Sequence, residues 1–189
     1  MPMPETPADL SGLSLADIAR LAEANKLPPV ERWNPSHCGD SAMRIARDGT
    51  WFHEGSPIGR PLMVRLFSTI LRREPDGGFV LVTPVEKLSI EVEDAPFVAV
   101  ELKSESEGRE RSLAFRLNTG ELVLAGPDHP LRFEPREDGP HPYLEVRRGL
   151  DALIARNVYY ELAELALAEA AEPPGLWSAG AFFAFESRP

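Results

Sequence analysis

From residue 85 onward the chain alternates. KLSIEVED, FVAVELKS, RSLAFRL, ELVLA and LRFEP each set apolar against polar residues at short intervals, the pattern of a strand with one buried and one wet face. Turn-forming residues stand between them: Asp94 to Pro96, the charged tip SESEGRE, Asn118 to Gly120, and Gly126-Pro127. The pattern predicts a meander of half-buried antiparallel strands, with PYLEV as a further strand. The period then changes. From about Gly149 to Ala170, Leu150, Leu153, Ile154, Val158, Leu162 and Leu165 fall on one face of a predicted long helix. LWSAGAFFAFES closes the chain as a predicted extended segment.

The first half mixes the two periods. SLADIARLAEANK reads as a helix capped by Ser14, with Asp17 at N3 and Leu15, Ile18, Leu21 and Ala22 on one side; Pro28 and Pro29 stop it. ERWNPSHCGD reads as a loop. Residues 42–47 and 50–54 read as two strands joined at Asp48-Gly49, which supplies the positive φ of a tight hairpin. After the loop GSPIGRP, LMVRLFSTILRRE has helical spacing, with Leu62, Leu66, Phe67, Ile70 and Leu71 on one side and Pro61 in the first turn. FVLVTP is a short predicted strand. SAMRIARDGTWFHEG at 41–55 and SLAFRLNTGELVLAG at 112–126 share Ser, the turn Gly and the final Gly at an offset of 112 − 41 = 71. The expected architecture is α+β: two small strand-rich domains related by duplication, 1–83 and 84–189, joined near Thr83-Pro84.

Composition and charge narrow the function classes. The fractions of 43% hydrophobic and 26% charged residues fit a globular protein with a sizeable core. A net charge of −10 and a pI of about 4.9 argue against nucleic acid and anionic membranes as partners. The one cysteine, Cys38, excludes an internal disulfide and fits a reducing compartment. The opening MPMPETPADL has no basic region followed by an apolar one, so it does not read as a signal peptide; a cytoplasmic location is expected.

Catalytic motifs are absent. There is no GxGxxG, CxxC, GxSxG or HExxH, and GSPIGRP lacks the GK[ST] ending of a phosphate loop. His37, Cys38 and His53 are too few at ligand spacing for a closed metal site. With 30 carboxylates, a pairing such as Glu86 with Asp94 carries little information. No catalytic residue, metal or cofactor is expected.

In so acidic a chain, clustered arginines stand out. Arg60 and Arg65 flank the start of the predicted helix after Pro61, and Arg147 and Arg148 precede the later one, where free N–H groups and guanidinium groups would meet an anion together. Gly55 and Gly59 would let the backbone approach a ligand, and Trp51 would offer a flat face. Thr83, Glu86 and Lys87 sit at the expected junction, where pockets concentrate. These ten residues form the candidate ligand-binding set, for a small anionic molecule. The plain alternatives are that the arginines pair with neighbouring acids and that Trp51 packs in the core. Two other functions compete: a protein-interaction adaptor using a sheet edge or the tail LWSAGAFFAFES, and a hydrolase or transferase with Glu86 or His53 as base, which no motif supports.

RWNPSHCGDSAMRIARDGTWFHEGSPIGRPLMVRLFSTILRRE, LVTPVEKLSIEVEDAPF and the run Arg-Gly-Leu-Asp-Ala-Leu-Ile-Ala-Arg at 148–156 together resemble DUF1285, a bacterial family of unknown function, over about residues 30–168. The resemblance implies two domains with a duplicated core and a C-terminal domain superficially like pleckstrin-homology folds. It also implies a ligand site at the domain interface, for a nucleotide-like molecule, and a role in signal transduction. It hands over no catalytic residues.

Overall fold

The computed structural model of the chain describes residues 14, 16–17, 19–20 and 27–185. Among these, two six-stranded sheets dominate. The first contains β1 (His37–Ile45), β2 (Trp51–His53), β3 (Ser56–Pro57), β4 (Leu71–Arg73), β5 (Phe79–Val82) and β6 (Glu86–Val92), with helix α1 (Pro61–Thr69) between β3 and β4. The second contains β7 (Phe97–Glu105), β8 (Ser112–Leu117), β9 (Leu122–Leu124), β10 (Leu131–Arg136), β11 (Gly139–Arg147) and β12 (Leu150–Ile154). Helix α2 (Arg156–Glu169) and the hairpin β13 (Gly175–Ser178) and β14 (Ala181–Ala184) follow.

The chain traces one path twice. The first sheet runs β3-β2-β1-β6-β5-β4 and the second β10-β11-β12-β7-β8-β9. Adding six to each strand number of the first gives the second, read from its other edge. In both, the first and sixth strands pair in parallel at the centre, and the remaining neighbours are antiparallel. The expected duplication is thus present in the topology. The sequence match that suggested it is one strand out of step: it aligns β1–β2 with β8–β9, whereas topology aligns β1–β2 with β7–β8. Nor are the helices equivalent, since α1 precedes a fourth strand and α2 follows a sixth.

Four boundaries move. The expected junction at Thr83-Pro84 falls inside the first sheet, because β6 pairs with β5 on one side and β1 on the other; the sheets separate only after Val92. The helix predicted through Glu74 ends at Thr69, because Leu71 to Arg73 pair with Phe79 to Leu81 as a strand. The helix predicted from Gly149 starts at Arg156. Leu150, Ala152 and Ile154 are buried alternately, pairing with β11 and β7. His37 to Asp40, expected in a loop, begin β1. At the N-terminus the capping box is present: Asp17 N–H donates to Ser14 Oγ (3.2 Å) and Ser14 N–H to Asp17 Oδ2 (3.3 Å). Leu15, Ile18, Leu21 and Ala22 lie outside the described residues.

One apolar cluster runs through both halves, joining Ile45, Trp51, Leu71 and Ile90 to Phe97, Phe115, Leu144 and Ile154. The C-terminal segment belongs to it. Leu176 and Phe183 are buried, and Ser178 Oγ accepts from Leu113 N–H (2.8 Å) while donating to the Ala125 carbonyl (2.7 Å). The described part of the tail, residues 176–185, is therefore packed against the body and does not form an exposed partner site. Among the described residues, no helix is long and apolar enough to cross a membrane.

Candidate ligand cleft between the two halves

Two glycine turns, one from each half, meet where the halves join. The first is Asp48-Gly49, with Gly49 at φ +87° and Asp48 Oδ1 accepting from Thr50 N–H (2.9 Å). That bond holds the Asp48 carboxyl below its ordinary range. The second is Asn118-Thr119-Gly120, with Gly120 at φ +88°. Asn118 stitches the turns together: its Oδ1 accepts from Val98 N–H (3.0 Å) and its Nδ2 donates to the Gly49 carbonyl (3.3 Å). From α1, Arg65 Nε donates to the Thr119 carbonyl (2.9 Å).

These contacts frame a cleft of about 480 Å³, within the size range of small-molecule sites. The first half contributes Gly49, Thr50 and Trp51, the loop residues Ile58 and Gly59, and Pro61, Val64 and Arg65 of α1. The second contributes Arg116, Asn118, Thr119 and Gly120. None of these twelve residues is acidic, although the chain carries 30 Asp and Glu. Of the two arginines, Arg116 is neutralised by Glu101 (2.6 Å), while Arg65 is in no ion pair among the described residues. Two lining residues also carry buried polar atoms without a hydrogen-bond partner: the Trp51 indole Nε1–H and the Thr119 hydroxyl. An unpaired buried donor costs about 1–3 kcal/mol, so native structures keep few of them. Two on one cleft single it out.

Gly120 sets the Arg65 contact. A methyl group there would lie 2.5 Å from Arg65 Nη2, on a backbone in the left-handed region. Gly120→Ala is expected to lose about 1–2 kcal/mol of stability and to push Arg65 off the turn. A urea melt checks this, and an unchanged midpoint would show that the turn relaxes freely.

Comparison with known proteins agrees with this architecture. Residues 28–95 match the N-terminal domain of DUF1285, a domain of unknown function, and residues 96–185 match the DUF1285 C-terminal domain. The chain belongs to the DUF1285 family. Among solved structures, a DUF1285 family protein from Silicibacter pomeroyi DSS-3 is 48% identical, with 92% of this chain and 95% of that chain covered and a TM-score of 0.78. A second, from Shewanella baltica OS155, is 26% identical, with 69% of this chain and 98% of that chain covered and a TM-score of 0.54. Comparison with curated proteins gives no match. The family boundary at residues 95–96 coincides with the gap between the two sheets.

In this DUF1285 chain, only part of the predicted set reaches the cleft. Trp51, Gly59 and Arg65 line it. Arg60 is the exposed N-cap of α1 and does not. Gly55 is the tip of the β2–β3 turn at φ +79°, with nothing near it. Thr83, Glu86 and Lys87 stand at the opposite end of the first sheet, where Glu86 lies across from His37 at the start of β1. Thr83 Oγ1 accepts from Glu86 N–H (3.2 Å), closing the β5–β6 turn. Lys87 is paired with Glu74 (3.2 Å), which also binds Arg72 (2.6 Å). Burial pushes the Glu74 carboxyl up, but bonds from Arg72 and Lys87 outweigh it and hold it below its ordinary value. Arg147 is the last residue of β11 and Arg148 opens the β11–β12 turn, so neither stands at a helix start. Arg147 binds both Glu121 oxygens (2.8 Å each) and the Ser68 carbonyl (2.8 Å); Arg148 is exposed, 3.9 Å from Glu31. Arg147 is thus a tie between the halves, already neutralised.

Arg116, Asn118, Thr119 and Gly120 were not among the predicted residues. Their only signal was the turn chemistry of Asn118-Gly120, which by itself says turn and not site. Trp51 follows the plain alternative and packs in the core, although it also borders the cleft: it is 1% exposed and one face stacks on Phe67 (6.4 Å, 19°). Glu86 and Asp94 bracket β6 at its two ends, roughly 25 Å apart along the strand, and form no acid–base pair. His53 is exposed at the end of β2. Among the described residues, no group of three or more His, Cys, Asp and Glu could hold a metal ion.

Proposed function

We propose that this chain is a non-catalytic module that binds a small anionic molecule in the cleft between its halves. What carries the reading is one conjunction: a cleft without carboxylates, an unpaired arginine, and two buried polar groups that lack partners. A ligand with acceptor oxygens would satisfy the Trp51 N–H, the Thr119 hydroxyl and the Arg65 guanidinium together. Because the two walls come from different halves, a bound molecule would favour one relative position of the halves over others, which is how a sensor in signal transduction reports. A single thiol and an acidic surface fit action in the cytoplasm.

A thermal-shift screen of anionic metabolites, nucleotides included, against wild type and Arg65→Ala tests the reading. At a hundredfold excess over Kd, a true ligand stabilises by about 2.7 kcal/mol, which is roughly 5–10 °C for a chain of this size. Arg65→Ala is expected to lose most of that shift. A library in which no member stabilises wild type more than the mutant would count against the site.

The adaptor reading moves to a new place. With the tail packed inward, the exposed apolar residues Leu62, Met63 and Leu66 of α1 are what favour a protein partner.

A further inference from the structure

We infer that the cleft takes an organic monoanion, a carboxylate or a phosphodiester, held edge-on by hydrogen-bond donors, and that its affinity does not rise with further negative charge. This rests on the cleft being a ligand site, and it specifies the class of ligand.

The charge balance comes first. Arg116 and Glu101 cancel, leaving Arg65 as the one uncompensated charge on the lining. Arg65 has one N–H committed to the Thr119 carbonyl, and its remaining N–H groups have no partner among the described residues. One positive charge matches one negative charge. A second or third would meet no free cation on the lining and would feel the Glu101 carboxylate behind Arg116. Polyphosphates therefore gain nothing from their extra charge here.

The donor inventory comes second. The indole N–H is donor only, a guanidinium is donor only, and the Thr119 hydroxyl turns to suit either role. A carboxylate or phosphodiester group is acceptor only at neutral pH and suits all three. The N-terminus of α1 adds to this. Gly59 and Pro61 line the cleft at the head of a nine-residue helix that has no side-chain cap and no acid in its first turn, so its dipole end also favours an anion.

The stacking geometry comes third. With the ring buried to 1% and one face on Phe67, Trp51 offers no open face for a base to lie on. What it has left is the partnerless Nε1–H, itself shielded from solvent, which a ligand oxygen would meet only as the lining shifts to admit it. Recognition thus rests on the anionic group, and an aromatic body is not required.

The test follows the indole Nε1–H resonances of the ¹⁵N-labelled full chain, which has three Trp, with Trp51→Phe to assign Trp51. Benzoate, 3′,5′-cyclic AMP, inorganic pyrophosphate and ATP are titrated at constant ionic strength. Benzoate, cyclic AMP or both are expected to move the Trp51 resonance saturably, and whichever binds identifies carboxylate or phosphodiester as the source. Arg65→Gln and Thr119→Val are each expected to weaken that binding about tenfold or more. Thr119→Val should leave the melting temperature of the free protein unchanged or slightly raised, because the hydroxyl it removes has no internal partner; if it does not fold, Arg65→Gln carries the comparison. Tighter binding of pyrophosphate or ATP than of either monoanion at the Trp51 resonance, sensitive to Arg65→Gln, would overturn the inference while leaving the site standing. Silence of the Trp51 resonance toward all four would overturn both.

Discussion

Arg111→Met is expected to destabilise the protein by about 3–5 kcal/mol, the cost of stranding one partner of a buried ion pair. Arg111 is 5% exposed. Its Nε and Nη2 donate to Glu169 Oε1 (2.9 and 2.6 Å) and its Nη1 to Ser104 Oγ (2.5 Å); Gly108 N–H reaches the same carboxylate oxygen (2.7 Å). Glu169 is the last residue of α2, where the helix dipole disfavours an acid. The sequence shows this misplaced charge, together with Glu161, Glu164 and Glu172, and the structure gives the compensation for Glu169. Arg111 neutralises it and in doing so pins the end of α2 to the second sheet. Without the arginine, a carboxylate at the carbonyl end of a helix keeps only Gly108 N–H as a donor. Urea denaturation of Arg111→Met, Glu169→Gln and the double mutant measures the effect. The double mutant should recover much of the loss, since removing both charges leaves neither stranded. A single-mutant loss below about 1 kcal/mol would show that the pair is solvated, with the small worth of a surface bridge.

The same residues show what a sequence can disclose. The strands from β6 to β11 were legible because period-two alternation survives wherever one face is wet. The segment at 150–154 was misread because Leu150, Ile154, Val158 and Leu162 recur every four residues across a strand-to-helix boundary. In β12 the buried set is 150, 152 and 154; in α2 it is 158, 162 and 166. The two periods share Ile154, and periodicity cannot see the break. Leu71 was absorbed into α1 for the same reason. One wall of the cleft was legible because Trp51, Gly59 and Arg65 lie within fifteen residues of one another. The other wall was not. Thr119 is 54 residues from Arg65, and what brings them together is the order of two sheets. The arginines divide likewise: composition shows that acids outnumber bases 30 to 20, but only the fold shows that Arg147 meets Glu121 while Arg65 meets no acid among the described residues.

Arg147→Met is expected to cost about 2–4 kcal/mol and to loosen the joint between the halves. Its guanidinium contacts three elements at once: Glu121 before β9, the Ser68 carbonyl near the end of α1, and the face of Phe97, 5.1 Å from the ring centre. The side chain is 18% exposed and that of Glu121 17%, so water screens the pair only in part. Helix α1 is thereby bound to the second half by two arginines, Arg65 on the Thr119 carbonyl and Arg147 on the Ser68 carbonyl. Ser68 Oγ in turn donates to the Arg65 carbonyl (2.7 Å), so the two ties share one turn of helix. Cutting the Arg147 tie should therefore weaken ligand binding although Arg147 does not line the cleft. It should also raise hydrogen exchange at the α1 amides above that of the second sheet. The control is Arg147→Met with Glu121→Gln, which should regain stability by removing the stranded carboxylate but should not regain the α1 protection, because the bond to Ser68 is still gone. If α1 exchange is unchanged in both variants, apolar contacts alone hold the halves together, and the arginine contributes only its pairing with Glu121.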